Sequence, residues 1–404
     1  MRHTERAVKQ FLWVVYAIYF FNGMAMCFEG TFNPEIKELF ALDYMRLMYL
    51  MFAKNIPFLL LSVIVGIMAQ KIGLKNTLSL AMIISAAGTI GIAAGIQTMN
   101  YPLILVACFI NGSAFTFQLV AGNPLLSELG SPAQSSVRLN FANALGAIAQ
   151  MIGMLLVYLI LPATIIMAVD KIPYITSILY PIALLLLVLG VMPFFLRWND
   201  IQVLAKQNIA PLNQNSKSVW RETKIVLGLV TLFFVLGVEA GIFGLFRNFA
   251  EDPEIGNLDS SSSILCYTFY FIFFAAGRFL GAAFQRRVLP SGYLLVSAIA
   301  AVCGIILAIF TKGMAAVVCL IAVGFFASVF FPTIYSIAID GMGHRVAKAS
   351  GILTMGMIGG AILPVLQGKF ADMAGLQYSF IITVLVYGLV IYYALRYYKK
   401  NESY

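Results

Sequence analysis

Three ionisable residues stand inside long apolar runs, Glu29, Lys54 and Glu239. Inserting such a side chain into hydrocarbon costs roughly 2.5 to 3.5 kcal/mol, so each one marks a candidate functional site. Glu29 precedes Pro34 by five residues, which puts its carboxylate about 7 Å from the end of its run at helical rise. Burial favours the neutral form of a carboxyl group. Glu29 and Glu239 are therefore candidates for taking up and releasing a proton, and equally for structural ion pairs. Lys54 follows Asp43 by eleven residues and lies about 16 Å into its run, where snorkelling to either surface is hard. It needs a partner: either Glu29 on the preceding run or an anionic solute. A cation follows each acid by eight residues, Lys37 after Glu29 and Arg247 after Glu239.

Around these stand uncharged polar residues: Asn22, Asn111, Gln118, Asn143, Gln150, Tyr335 and Gln367. Amides and phenols both donate and accept hydrogen bonds, which suits a hydroxylated solute. The same groups also join membrane helices to one another. As substrate-binding candidates we take Asn22, Lys54, Asn111, Gln118, Asn143 and Tyr335. The five cysteines are far apart and the two histidines, His3 and His344, sit in polar segments, so neither a disulfide framework nor a metal site is expected. No nucleophile constellation or nucleotide motif is present, and the reading calls for no enzyme chemistry and no cofactor.

These residues need elements that hold them in hydrocarbon. The 404-residue chain is 61% hydrophobic and 11% charged, against about 25% charged residues in soluble proteins. A span needs about 20 apolar residues, and apolar runs begin near positions 11, 46, 77, 102, 139, 174, 225, 264, 293, 314, 350 and 375. The expected fold is an all-α integral membrane protein of twelve transmembrane helices. The first run, from Phe11, lacks a small-residue cleavage site and reads as a retained helix, not a signal peptide.

The net charge of +9 reads as an orientation signal in so apolar a chain, with no nucleic-acid partner. Lys71, Lys75, Arg138, Arg197, Arg278 and Lys399 fall on one side, together with most other basic residues. The opposite connections carry acidic clusters, Glu35, Glu38 and Asp43, then Glu251, Asp252, Glu254 and Asp259. The positive-inside bias then places both termini in the cytoplasm, in a plasma (bacterial inner) membrane.

The longest polar stretch lies near the midpoint and divides the chain into an N-terminal six-helix bundle (1–197), a cytoplasmic linker (198–219) and a C-terminal six-helix bundle (220–404). A faint repeat relates the halves: Gly66-x-x-x-Gln70-Lys71 recurs as Gly281-x-x-x-Gln285-Arg286, and Asn123-Pro124 corresponds to Phe331-Pro332. Glu29 and Glu239 fall within the same offset. Two bundles related by pseudo-two-fold symmetry along the membrane normal are the layout of rocker-type transporters, with the solute site at mid-membrane.

The stretch GIMAQKIGLKNTL resembles the loop signature of the major facilitator superfamily. Gly66, Lys71, Gly73 and Lys75 agree with it, while Gln70 replaces the usual acid. AGNPLLSELGSPAQSSVRLNFANALGA, FAAGRFLGAAFQRRVLP and FFPTIYSIAIDGMG resemble the fucose/glucose/galactose-proton symporter branch, the L-fucose permease-like group. The resemblance implies gating or structural roles for Asn123, Pro124, Arg138, Gly277 and Arg278. It also implies monosaccharide transport by alternating access with proton coupling. In that branch span one carries Asn-Asp where this chain has Glu29-Gly30, and span four carries a Glu where this chain has Leu119. Proton coupling here is thus left to Glu29 or Glu239. The expected function is secondary active transport of a small polar solute, with protons and lipid as the other partners, by a monomer. Alternatives are an organic anion or amino-acid transporter of the same fold, for which Lys54, Arg247 and the missing span-four acid argue, and a non-transporting membrane sensor.

Overall fold

The computed structural model describes residues 2–128, 135–161, 167–195, 219–285, 288–340, 342, 349 and 352–398. The described chain is helical, and eleven of its segments are long and apolar enough to cross a membrane. In chain order the spans are α1 (Arg2–Thr31), α2 (Tyr44–Ile72), α3 (Leu74–Gln97), α4 (Tyr101–Glu128), α5 (Ser135–Ile160), α6 (Ala168–Phe195), α7 (Thr223–Glu251), α8 (Ser260–Phe284) and α9 (Pro290–Phe310). They continue with α10 (Met314–Ile339), α11 (Ile352–Ala374) and α12 (Leu376–Arg396). The twelfth span is α2, which carries Arg46, Lys54 and Lys71 within 29 residues; at 1.5 Å per residue it is about 43 Å long. This is the all-α, twelve-helix membrane fold expected from the sequence.

The chain punctuates itself by known means. α1 stops at Thr31, and Pro34 opens a short helix, Asn33–Leu39, because proline disfavours helix in the residue before it but fits the first turn of the next. Gly73 separates α2 from α3 at φ +85°, a conformation that costs an L side chain but not glycine. Asp259 caps α8, accepting from the backbone N–H groups of Ser261 and Ser262. α10 is interrupted at Ser328 and Val329 between the helical pieces Met314–Ala327 and Phe330–Ile339, and α11 opens with a tight turn at Met355–Ile358.

The chain forms two compact units. One comprises residues 1–29 and 53–213, the other 30–52 and 214–404. In the first, α3 packs along α4 and α6, burying Leu78, Met82, Ala86 and Ile104. In the second, α7 packs along α11, and α9 along α10 and α12, around Leu232, Val235, Phe246 and Tyr393. Large apolar side chains remain open, among them Leu159 at 76%, Phe310 at 78% and Leu385 at 71% exposure. Water would penalise so much apolar surface, whereas lipid tails accept it.

Candidate functional site

In the first unit three of the six substrate-binding candidates come together. The Asn22 amide on α1 donates to the Gln118 side-chain carbonyl on α4. Ser85 of α3 sits at 2.9 Å from Asn22 Oδ1 and 3.3 Å from Asn111 Oδ1. All four residues are buried. Ser85, which the sequence reading passed over, is the hinge of this network; its signal was a lone hydroxyl in an apolar run, too common to single out.

Lys54 belongs to the same neighbourhood. Its half-buried Nζ lies 3.4 Å from the Met26 carbonyl oxygen, one turn along α1 from Asn22. Its own backbone carbonyl lies against α4: a Cβ on Gly112 would sit 1.8 Å from that oxygen, so only glycine lets α2 approach α4 here. Lys54 thus reaches α1 through its side chain and α4 through its backbone. Glu29 lies three residues beyond Met26 on α1, but its side chain is outside the described residues, as are those of Gln70 and Pro124.

The remaining first-unit motif residues hold helices in place. Asn123 Oδ1 accepts from the Tyr19 hydroxyl at 2.7 Å. Buried Arg138 donates from Nε to the Leu126 carbonyl at 2.7 Å, tying the start of α5 to the end of α4. Lys71 is exposed and Lys75 half-buried beside Gly73, and Gly66 has open space around it. Asn143 is exposed on α5.

In the second unit Glu239 is 5% exposed at the middle of α7. Tyr270 of α8 and Tyr387 of α12 lie close enough for its charge to act on them; both are fully buried, and their hydroxyls have no hydrogen-bond partner among the described residues. Gln367 of α11, 1% exposed against Gly241 of α7, likewise has neither amide atom bonded. A buried polar group without a partner costs free energy, and several in one bundle provide hydrogen-bonding capacity for a guest. The two tyrosines were not legible as special among the 19 in the chain. Tyr335 is half-buried with its ring 5.8 Å from that of Phe331. Gly277 admits the Phe325 carbonyl of α10, which a Cβ would meet at 2.1 Å. Arg278 donates from Nε to the Ser328 carbonyl at 3.2 Å, an acceptor freed by the break in α10, and lies 4.7 Å over the Phe274 ring.

Arg247 corrects one expectation. It was read as making the solute cavity more cationic, in favour of an anionic solute, but its buried guanidinium is held by two carboxylates, Glu35 and Glu251. Both acids had been assigned to polar connections outside the spans. The spacing of Arg247 and Glu251, four apart on one helix face, was the available signal.

Comparison with known proteins places the chain among transporters. A protein of Brucella abortus named glucose/galactose transporter is 28% identical over 385 residues, covering 94% of this chain and 92% of its own. The L-fucose-proton symporter of Escherichia coli is 22% identical, covering 89% and 86%. Among solved structures, the transporter FucP in its outward conformation superposes with a TM-score of 0.67 at 19% identity, covering 98% of this chain and all of its own. The nucleoside transporter NupG gives 0.72 at 15% identity, covering 96% and 98%. These likenesses carry the fold, and the family model that aligns with residues 15–357 carries the membership: the chain belongs to the Major Facilitator Superfamily.

Proposed function

We propose that the protein is a secondary transporter that carries a monosaccharide together with protons, its two six-helix bundles (residues 1–197 and 220–404, joined by 198–219) alternating access to the solute. The observation that carries this reading is the similarity, along nearly the whole chain, to proteins named for glucose, galactose and fucose transport. The polar residues support it. Asn22, Asn111 and Gln118 offer the sugar amide donors and acceptors in the first bundle, and Gln367, Tyr270 and Tyr387 offer unbonded polar atoms in the second, which also buries Glu239. Sugar hydroxyls both donate and accept, so they suit such mixed groups. Glu29 and Glu239 are the proton-coupling residues of this reading. Lys54 holds the polar layer of the first bundle and pairs with Glu29. Gly66, Lys71, Gly73, Lys75, Asn123, Pro124, Arg138, Gly277 and Arg278 keep the helices in register as the bundles move. The protein works as a monomer in a bacterial inner membrane with both termini in the cytoplasm, an orientation supported by the basic connections.

The anion-transport reading loses Arg247, whose charge two acids already meet. Counterflow in proteoliposomes tests the solute class. Vesicles preloaded with unlabelled galactose, glucose or fucose take up the labelled sugar on dilution, and unlabelled organic acids or amino acids in their place do not drive it. Counterflow of carboxylates or amino acids with none of any sugar overturns the assignment.

A further inference from the structure

Two carboxylates converge on one guanidinium inside the second unit. Arg247 on α7 meets Glu35 of the short helix in a two-pronged pair, Nη1 to Oε2 at 2.8 Å and Nη2 to Oε1 at 3.0 Å. The same Nη2 also donates to Glu251 Oε1. Its Nε donates to Ser263 Oγ at 3.2 Å, its Nη2 to Ser260 Oγ at 2.9 Å, and its Nη1 to the Thr31 carbonyl. Side-chain exposure is 0% for Arg247, 1% for Glu35 and 20% for Glu251.

Among the described residues the cluster therefore carries one more negative charge than positive. Excess charge out of water is costly, and two carboxylates that share a site cannot both ionise freely. The charged groups that act on Glu251 are Arg247 and Glu35. Other charges at this end have partners of their own: Lys37 stands over the Tyr44 ring at 4.4 Å, Glu254 pairs with Lys312 at 3.6 Å, Arg46 pairs with Asp43 at 3.5 Å, and Asp259 caps α8; Glu38 is exposed on the short helix. Asp252 turns its carboxylate to the Glu254 N–H at 2.9 Å. Asp372 of α11 receives the N–H groups of Tyr44 and Met45 at 2.7 and 2.8 Å. Asn248 and Tyr267 are the uncharged polar neighbours on α7 and α8, and Tyr267 is committed to the Phe243 carbonyl at 2.8 Å. A proton is the one small cation that restores neutrality without displacing any of these bonds.

We propose that Glu35, Arg247 and Glu251 form a proton-binding site, with the proton carried on Glu251. Glu35 spends both oxygens on the guanidinium, whereas Glu251 uses Oε1 and is the one acid of the pair with solvent access. The step is a simple association: a proton from solution forms an O–H bond with the free Glu251 oxygen, and no other bond breaks. This inference rests on the proposed sugar-proton symport and adds Glu251 to Glu29 and Glu239 as a third acid on the route of the coupled proton.

The test uses the full chain in proteoliposomes, with infrared difference spectra of the purified protein alongside. In the wild type, a protonated-carboxyl carbonyl band is present at neutral pH and galactose uptake carries protons with it. Glu251→Gln and Glu35→Gln each leave the cluster with one acid and one cation, so each loses the share of that band that belongs to Glu251, together with the accompanying proton uptake, while counterflow of galactose persists. The second variant guards against misfolding of the first. Protonated-carboxyl intensity that is the same in the wild type and both variants, with proton uptake retained, overturns the site. Failure of the wild type to exchange any sugar overturns the transport reading instead, and the infrared band still decides the site.

Discussion

Lys54 shows what a sequence reveals about a single residue and where it stops. A cation at mid-span was conspicuous because hydrocarbon penalises it, and the structure sets its Nζ 3.4 Å from the Met26 carbonyl of α1. Asn22, Asn111 and Gln118 were likewise legible as polar exceptions in apolar runs, but their mutual hydrogen bonds depend on helix packing that no local pattern encodes. The Glu35 and Glu251 pair was missed for the opposite reason. Acids beside polar connections look solvated, and only the fold reveals that they meet on the buried Arg247 guanidinium. If Lys54 pairs with Glu29, the two losses are coupled: Lys54→Met alone lowers galactose uptake more than Lys54→Met combined with Glu29→Gln. Additive losses in that double-mutant cycle contradict the pairing.

Helices were the most legible level, since runs of about 20 apolar residues admit little else in a bilayer. Their starts fall close to those read from hydropathy, and the ends follow Pro34, Gly73 and Asp259. The interruption of α10 at Ser328 follows from Pro332, which has no N–H to give the Ser328 carbonyl four residues earlier; the sequence reading used that proline only as an element of the repeat. Two element-scale outcomes follow. Gly112→Val puts side-chain atoms where the Lys54 carbonyl lies, 1.8 Å from the Cβ position, and overpacking of this kind costs about 3 kcal/mol. Its folded yield on size-exclusion chromatography falls sharply, and a wild-type profile contradicts the close approach of α2 and α4. Asp259→Ala removes the α8 cap at a cost of about 1 kcal/mol. Hydrogen bonds from Ser262 and from the backbone of Ser261 hold the Asp259 carboxyl below its ordinary range. The stabilisation is therefore complete above the unfolded carboxyl value, near about pH 4, and is lost as pH falls through the lower folded value. Thermal unfolding should show wild type above variant at neutral pH and the two converging in acid; a gap that widens on acidification contradicts the cap.

The whole molecule was legible as a class before any helix was placed, because 11% charged residues cannot cover a water-facing surface. The division into bundles was read from one polar stretch and a faint repeat. The inclusion of residues 30–52 in the second compact unit had no sequence signal, since it depends on Arg247 and Asp372 reaching residues more than 200 positions away. Orientation is testable directly. A fluorescent reporter fused after residue 398 matures and glows in the cytoplasm, while alkaline phosphatase at the same point is inactive; an active phosphatase inverts the topology.

Sugar-proton symport itself is tested most directly by accumulation against a gradient. Proteoliposomes with an alkaline interior and an imposed inward proton gradient should concentrate labelled galactose, glucose or fucose above the outside level, and a protonophore should abolish the excess. Sugar that only equilibrates, with or without the protonophore, would contradict the account.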